Sequence, residues 1–400
     1  MTELSAEQDS LGLLYEEEAL HCVRCGLCLS VCPIYQHSLN ETDSPRARVA
    51  LLRALQEGLV DSPTETYADV FYRCLLCGAC TFTCPSGVAV DRILELTRSE
   101  LTAQHLLPES LAGLEERIAV YHNISAENND GRLIWADNLP SPPAGLGKSQ
   151  AQVAYFVGCV GSFFPRSYSI PQSLVQIFDR IGVDYALLGG AEWCCGYPMF
   201  LNGNLDRARD IIRHNVEAVR ALGVRTVVTT CPSCFHFWKH SYPVVMGVSD
   251  MAELGLEVQH ATEFLADLAE SGAIHWKRRE VEAEPQVVTY HDPCDLGRKG
   301  GVITAPRRIL AQVPGVQLIE MADHGENARC CGGGGNLETL APEVSQAVAR
   351  QRIRQANDVQ ARLLVSACQQ CERTLAGAAR AERLRIRVRD ITEVVLDAME

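Results

Sequence analysis

The sequence predicts a mainly helical N-terminal domain followed by a larger region of duplicated α/β architecture, and three observations lead there. Helical periodicity fills the segments between and after two four-cysteine runs near the N-terminus. Beyond residue 150, short apolar runs alternate with helical patterns, and the same order occurs twice. Between the two regions lies 138–150, Asn-Leu-Pro-Ser-Pro-Pro-Ala-Gly-Leu-Gly-Lys-Ser-Gln, a Pro-, Gly- and Ser-rich divider.

In the N-terminal region, Ser44 is placed to cap a helix that begins at Pro45, runs to Glu57 on the apolar face of Val49, Leu51, Leu52 and Leu55, and stops at Gly58. A second helical pattern covers Asp91 to Gln104. The first α/β copy reads as strand Val153 to Val157, helix Pro171 to Ile181, strand Val183 to Leu188, helix Leu205 to Leu222 and strand Val224 to Thr230. The second reads as strand Val287 to Tyr290, helix Pro306 to Gln312, strand Val316 to Glu320, helix Pro342 to Asn357 and strand Leu363 to Ser366. Duplication is the simplest account. Alternating strands and helices imply a Rossmann-like parallel sheet covered on both faces, with ligands beyond the carboxyl ends of the strands.

The 400 residues, 47% hydrophobic and 22% charged, suffice for two to three domains with real cores, so the cysteines are not needed as staples. The acidic start, with Glu3, Glu7, Asp9, Glu16, Glu17 and Glu18 and no basic residue before position 20, is unlike a signal peptide and points to the reducing cytoplasm. No run approaches the ~20 apolar residues of a membrane span. A net charge of -14 argues against nucleic acid as a partner. The basic segment with Arg373, Arg380, Arg383, Arg385, Arg387 and Arg389 is interleaved with Glu372, Glu382 and Asp390 and reads as a solvated helix face and strand edge, with docking to an acidic partner as the alternative.

All 18 cysteines fall into four groups. Cys22, Cys25, Cys28, Cys32 before Pro33, and Cys74, Cys77, Cys80, Cys84 before Pro85, share the Cys-x-x-Cys-x-x-Cys-x-x-x-Cys-Pro spacing of two-cluster ferredoxins. Soft thiolates so spaced can wrap a cubane cluster, and the fourth Cys of each run ligates the other cluster. The expected sets are therefore Cys22, Cys25, Cys28 with Cys84, and Cys74, Cys77, Cys80 with Cys32. Structural zinc is the alternative. The remaining groups, Cys159, Cys194, Cys195, Cys231, Cys234 and Cys294, Cys330, Cys331, Cys368, Cys371, repeat a lone Cys, a Cys-Cys-Gly and a Cys-x-x-Cys. Gly196, Gly332 and Gly333 would allow close backbone approach, N–H donation to sulfur and positive φ. Five thiolates establish a metal site without fixing its shape, and zinc on four of them is again the alternative. Gly145 to Ser149 imitates the end of a phosphate-binding loop but precedes a strand instead of leaving one. His291, before Asp292-Pro293-Cys294, could donate protons to a substrate; a hydrogen-bonding core histidine is the competing reading. Arg24, Arg73 and Arg329 adjoin cysteines and would either raise cluster potentials or serve as solvated surface.

The first 110 residues resemble the α-helical ferredoxin domain of succinate dehydrogenase iron–sulfur subunits, and the five-cysteine pattern resembles the CCG domain of heterodisulfide reductase subunits. Nearly the whole chain is thus similar to a family that joins the two. That family includes the glycolate oxidase iron–sulfur subunit, the C subunit of anaerobic glycerol-3-phosphate dehydrogenase and the D subunit of heterodisulfide reductase. The resemblance implies domains at 1–110, 151–275 and 276–400 joined by a helical connection and linker at 111–150. It implies two cubane 4Fe-4S clusters and a non-cubane cluster in each five-cysteine set. It further implies an FAD-containing dehydrogenase partner, a quinone-linked or cytochrome b membrane protein as a further partner, and electron transfer as the activity, with disulfide cleavage at the paired CCG sites as the alternative.

Overall fold

The computed structural model describes residues 17–278 and 284–400. Of the acidic N-terminal residues, Glu3, Glu7, Asp9 and Glu16 lie outside that range. Two compact units are present. The first comprises the N-terminal segment to Glu115 together with Pro198–Leu205 and Arg329–Ala349; the second comprises Glu116–Tyr197, Asp206–Ala328 and Arg350–Glu400.

The first unit is helical because its sequence supplies caps and one-sided apolar faces. The Pro45–Gln56 helix starts where Ser44 accepts from Ala47 N–H, and it buries Val49 and Leu52. Glu65–Tyr72 is capped by Thr64 and buries Phe71 and Tyr72. Val90–Ala103 buries Ile93, Leu94 and Leu101. Two inserted segments of the α/β region join these helices. Asn202 donates to Leu111 O and Glu115 Oε1, and Asn336 donates to Pro198 O and Asn202 Oδ1, both at 2.8 Å.

The second unit holds two four-stranded parallel sheets. The strands are β1 (Val153–Phe156), β2 (Tyr185–Leu187), β3 (Thr226–Thr229), β4 (Glu257–His260), β5 (Gln286–His291), β6 (Val316–Leu318), β7 (Leu363–Ser366) and β8 (Arg387–Asp390). Their orders are β2-β1-β3-β4 and β6-β5-β7-β8, the same topology twice. Central strands β1 and β7 are buried along their full length, as expected of parallel strands covered on both faces. The sequence reading had no strand at β4 and only a strand edge at β8. Both are edge strands with polar residues (Glu-Val-Gln-His and Arg-Val-Arg-Asp), so the apolar run that marks a central strand is missing. Each feeds a helix closed by a reciprocal capping box, His260 with Glu263 and Asp390 with Glu393. No helix among the described residues is long and apolar enough to cross a membrane.

Candidate metal centres

The local backbone of the two N-terminal motifs is the same. In each, the residue before the second cysteine and the glycine after it are left-handed: Arg24 (φ 60) and Gly26 (φ 82), then Leu76 (φ 49) and Gly78 (φ 71). Alternation of left- and right-handed residues curls the chain so that thiols and N–H groups face one side. Leu76 N–H donates to Cys74 Sγ at 3.3 Å. The fold then sorts the eight thiols into two cavities. Cys22, Cys25, Cys28 and Cys84 line one, with Arg24 and Arg46 on its wall. Cys32, Cys74, Cys77 and Cys80 line the other, with Arg48 and Asp91. The fourth cysteine of each run stands in the other run's cavity.

As bare thiols three of these groups, Cys28, Cys32 and Cys80, are costly to ionise. Burial pushes Cys28 up to about 11 and Cys32 up to about 12, the latter in spite of Arg48. Cys80 is raised well above the ordinary thiol value, first by burial and then by Cys74 and Cys77. A cationic metal core would favour their thiolate forms, and four soft sulfurs on one cavity fit an iron–sulfur cluster.

The first five-cysteine set lies wholly in the second unit, beyond the carboxyl ends of β1 and β3. Its sulfurs form one chain of contact, Cys159 to Cys194 to Cys195 to Cys234 to Cys231. Cys159 is pushed up first by its hydrogen bond to Cys194 and then by burial. Cys195 is held down by hydrogen bonds from Cys194 and Cys234. Gly196 adopts φ 92 and donates N–H to Cys194 Sγ at 3.5 Å. Gly158 (φ 80) stands where a Cβ would come within 3.3 Å of Cys234 Sγ.

Two residues the sequence reading missed complete this site. Arg132 donates through Nη1 to Glu192 Oε1 at 2.7 Å and through Nη2 to Cys159 Sγ at 3.4 Å, and both side chains are at most 2% exposed. Glu192 in turn accepts from Val157 N–H and Gly158 N–H, each at 2.8 Å, fixing the loop that leads to Cys159. Burial works against the Arg132 charge, but Cys159 and Glu192 outweigh it and raise its pKa. Burial raises Glu192. Glu192 lies two residues before Cys194, a weak signal; Arg132 comes from the segment read as a connection and had none. Trp193 was also missed. It is stacked between His122 and His214 with ring centroids 3.5 and 3.6 Å away, and Cys194 N–H donates to His122 O at 2.7 Å.

Of the second set, Cys330 and Cys331 belong to the first unit, and Cys294, Cys368 and Cys371 to the second. Gly332 (φ 90) donates N–H to Cys330 Sγ at 3.5 Å, and Gly333 N–H donates to Cys331 Sγ at 3.4 Å. Cys371 N–H donates to Cys368 Sγ at 3.3 Å. His291 is fully buried and its Nδ1 accepts from Arg352 Nε at 3.0 Å, so Nδ1 carries no proton. One of its ring nitrogens lies within 4.8 Å of Cys371 Sγ.

Polar side chains tie the two copies together within the second unit. Gln369, beside Cys368, donates to Val157 O at 2.9 Å and Thr230 Oγ1 at 2.7 Å and accepts from Gly161 N–H at 2.9 Å. In the opposite sense Ser233, beside Cys234, donates to Asp295 Oδ2 at 2.7 Å, beside Cys294. The three other arginines that adjoin cysteines differ in setting: Arg24 is exposed, Arg73 pairs with Asp69 at 3.6 Å, and Arg329 donates to Gln36.

Comparison with known proteins gives these centres a lineage. The 4Fe-4S dicluster domain family matches residues 18–88, and the cysteine-rich CCG domain family matches 153–238 and 288–376. The chain is 32% identical over 396 residues to the D subunit of the dihydromethanophenazine:CoB–CoM heterodisulfide reductase of Methanosarcina barkeri, covering 94% of this chain and 93% of that protein. It is 28% identical to the probable iron-sulfur-binding oxidoreductase FadF of Bacillus subtilis, over 83% of this chain and 47% of FadF. It is 26% identical to the B subunit of the fumarate reductase (CoM/CoB) of Methanothermobacter marburgensis, over 94% and 71%. Among solved structures, an aspartate racemase homologue from Pyrococcus horikoshii covers 62% of the chain at 9% identity and a TM-score of 0.22, a likeness too slight to bear on the fold. With ferredoxin-type and CCG cysteines in place along its length, the chain belongs to the CCG-domain iron–sulfur oxidoreductase subunits, the family that includes the D subunit of heterodisulfide reductase.

Proposed function

We propose that this chain is the iron–sulfur electron-transfer subunit of a flavin-linked dehydrogenase complex of the glycolate, lactate or glycerol-3-phosphate type, passing electrons from a partner's FAD to a quinone or another acceptor. The two N-terminal cavities would each hold a cubane 4Fe-4S cluster and each five-cysteine set a further, non-cubane one. When bound, these clusters supply one-electron oxidation and reduction. One observation carries the reading. The glycine run after Cys330-Cys331 packs on the second N-terminal motif so closely that a Cβ on Gly335 would collide with Cys74 O, and one on Gly334 would come within 2.9 Å of Leu75 O. Backbone against backbone at that point gives a short path between two cysteine groups. His291 would serve, in this reading, as a buried hydrogen-bonding residue of the second set. A cytoplasmic protein that reaches a membrane only through a quinone-linked or cytochrome b partner accords with the sequence. Anaerobic purification from the native cell should recover an FAD protein in stoichiometric complex. Oxidation of glycolate, lactate or glycerol 3-phosphate by the iron-loaded chain alone would overturn the proposal.

A second reading, disulfide cleavage at the paired CCG sites, is favoured by the retention of all ten cysteines and by the end-to-end similarity to a heterodisulfide reductase component. It requires that a thiol disulfide added to the dithionite-reduced protein change its cluster spectra; unchanged spectra would exclude it.

A further inference from the structure

Burying an arginine is costly unless its charge is compensated. Among the described residues four arginines are at most 1% exposed, Arg48, Arg98, Arg132 and Arg352, and each stands at a cysteine group. Arg48 lines the cavity of Cys32, Cys74, Cys77 and Cys80. Arg132 meets Cys159, and Arg352 meets His291. Arg98 is held by backbone carbonyls. Its guanidinium donates to the carbonyls of Phe71 (3.0 Å), Tyr72 (3.0 Å), Cys74 (2.7 Å), Leu201 (2.7 Å) and Gly335 (3.3 Å). None of these acceptors carries a formal charge. Carbonyl dipoles solvate a cation but do not neutralise it. Burial disfavours the charge.

We propose that Arg98 is a positioning residue whose buried charge sets the potential of the centre held by Cys32, Cys74, Cys77 and Cys80. Its counter-charge is the anionic, thiolate-ligated group in that cavity. The same guanidinium grips both Cys74 O and Gly335 O, so it fixes the motif and the loop after Cys330-Cys331 in one geometry. A fixed positive charge beside an electron acceptor favours the reduced state. This inference rests on the assignment of an iron–sulfur cluster to that cavity.

Redox titration followed by EPR on the full-length, iron-loaded chain tests it, using Arg98→Gln and Arg98→Lys. Of the two N-terminal cluster signals, the one that disappears in Cys77→Ala should become about tenfold harder to reduce in Arg98→Gln, a shift of ~59 mV for one electron. The signal that survives in Cys77→Ala should not move, and Arg98→Lys should restore most of the loss. Loss of iron in Arg98→Gln with retention in Arg98→Lys would likewise support a charge requirement. An unchanged potential in Arg98→Gln, equal shifts of both signals, or equal iron loss in both variants would reduce Arg98 to a packing residue and overturn the inference. A wild-type chain that takes up no iron would instead overturn the cluster assignment itself.

Discussion

The side chain of Gln369 ends against the carbonyl of Val157, 2.9 Å away, although the two belong to different copies of the duplicated fold. Gln369 is one residue from Cys368, and Val157 is two residues from Cys159. With Gly161 N–H and Thr230 Oγ1 as its other partners, this fully buried amide locks the strand ends that present two cysteine sets. Gln369→Leu keeps the volume but leaves those groups without it. Each buried polar group so orphaned costs about 1–3 kcal/mol. Anaerobic denaturation should show a stability loss of about 2–4 kcal/mol by that figure, and a loss below the error of the fit would show that the amide does not join the copies.

Arg132 and Glu192 form a buried pair that also touches a thiol. Removing one partner of such a pair costs about 3–5 kcal/mol, because the other is left charged in a dry site. Arg132→Leu should lower stability by that order and reduce iron content, since Cys159 and the Gly158 loop lose their anchor. The double variant Arg132→Leu with Glu192→Leu should recover part of the stability but not the iron. Equal losses in single and double variants would argue that the pair is not coupled.

The crossed grouping of the N-terminal thiols has its own test. Cys84 lines the cavity of Cys22, Cys25 and Cys28. Cys84→Ser should therefore perturb the same EPR signal as Cys25→Ser and leave the one perturbed by Cys77→Ser intact. The reverse pattern would show that each run serves a single cluster.

Gly335 and Gly182 are both left-handed, at φ 62 and φ 75, but only Gly335 has backbone where a Cβ would go. Alanine at Gly182 should cost only the left-handed penalty of about 1–2 kcal/mol. Alanine at Gly335 should cost distinctly more and slow electron transfer between the N-terminal clusters and the rest, measured by rapid-mixing reduction. Equal costs at the two positions would mean that the close approach to Cys74 is relaxed in solution.

His260 introduces a pH dependence. Burial lowers its pKa from the ordinary 6.5 to about 3, so the folded protein holds it neutral, with Nδ1 accepting from Thr262 N–H at the helix start. The unfolded chain protonates it below 6.5. Its contribution is thus intact above that pH and is lost as pH falls from 6.5 toward 3, by at most ~1.4 kcal/mol per pH unit. His260→Asn retains a capping side chain and should flatten the stability profile between pH 6 and pH 4. An unaltered slope would place the acid sensitivity elsewhere.

What the sequence by itself determined was whatever is written in local spacing. The Cys-x-x-Cys runs, the Ser44-Pro45 helix start, the twice-repeated strand and helix order and the glycines after paired cysteines are short-range patterns, because ligand wrapping, caps and turns are set by a few neighbouring residues. Edge strands β4 and β8 escaped because their polar sequences lack the apolar run of a central strand. The tertiary structure alone decided the rest. Arg98, Arg132 and Gln369 reach their cysteine groups through bonds spanning 237, 60 and 212 residues, to Gly335, Glu192 and Val157. No local periodicity can encode such a contact. A buried cation or amide is revealed only when the fold has closed around it and removed the water it would otherwise prefer.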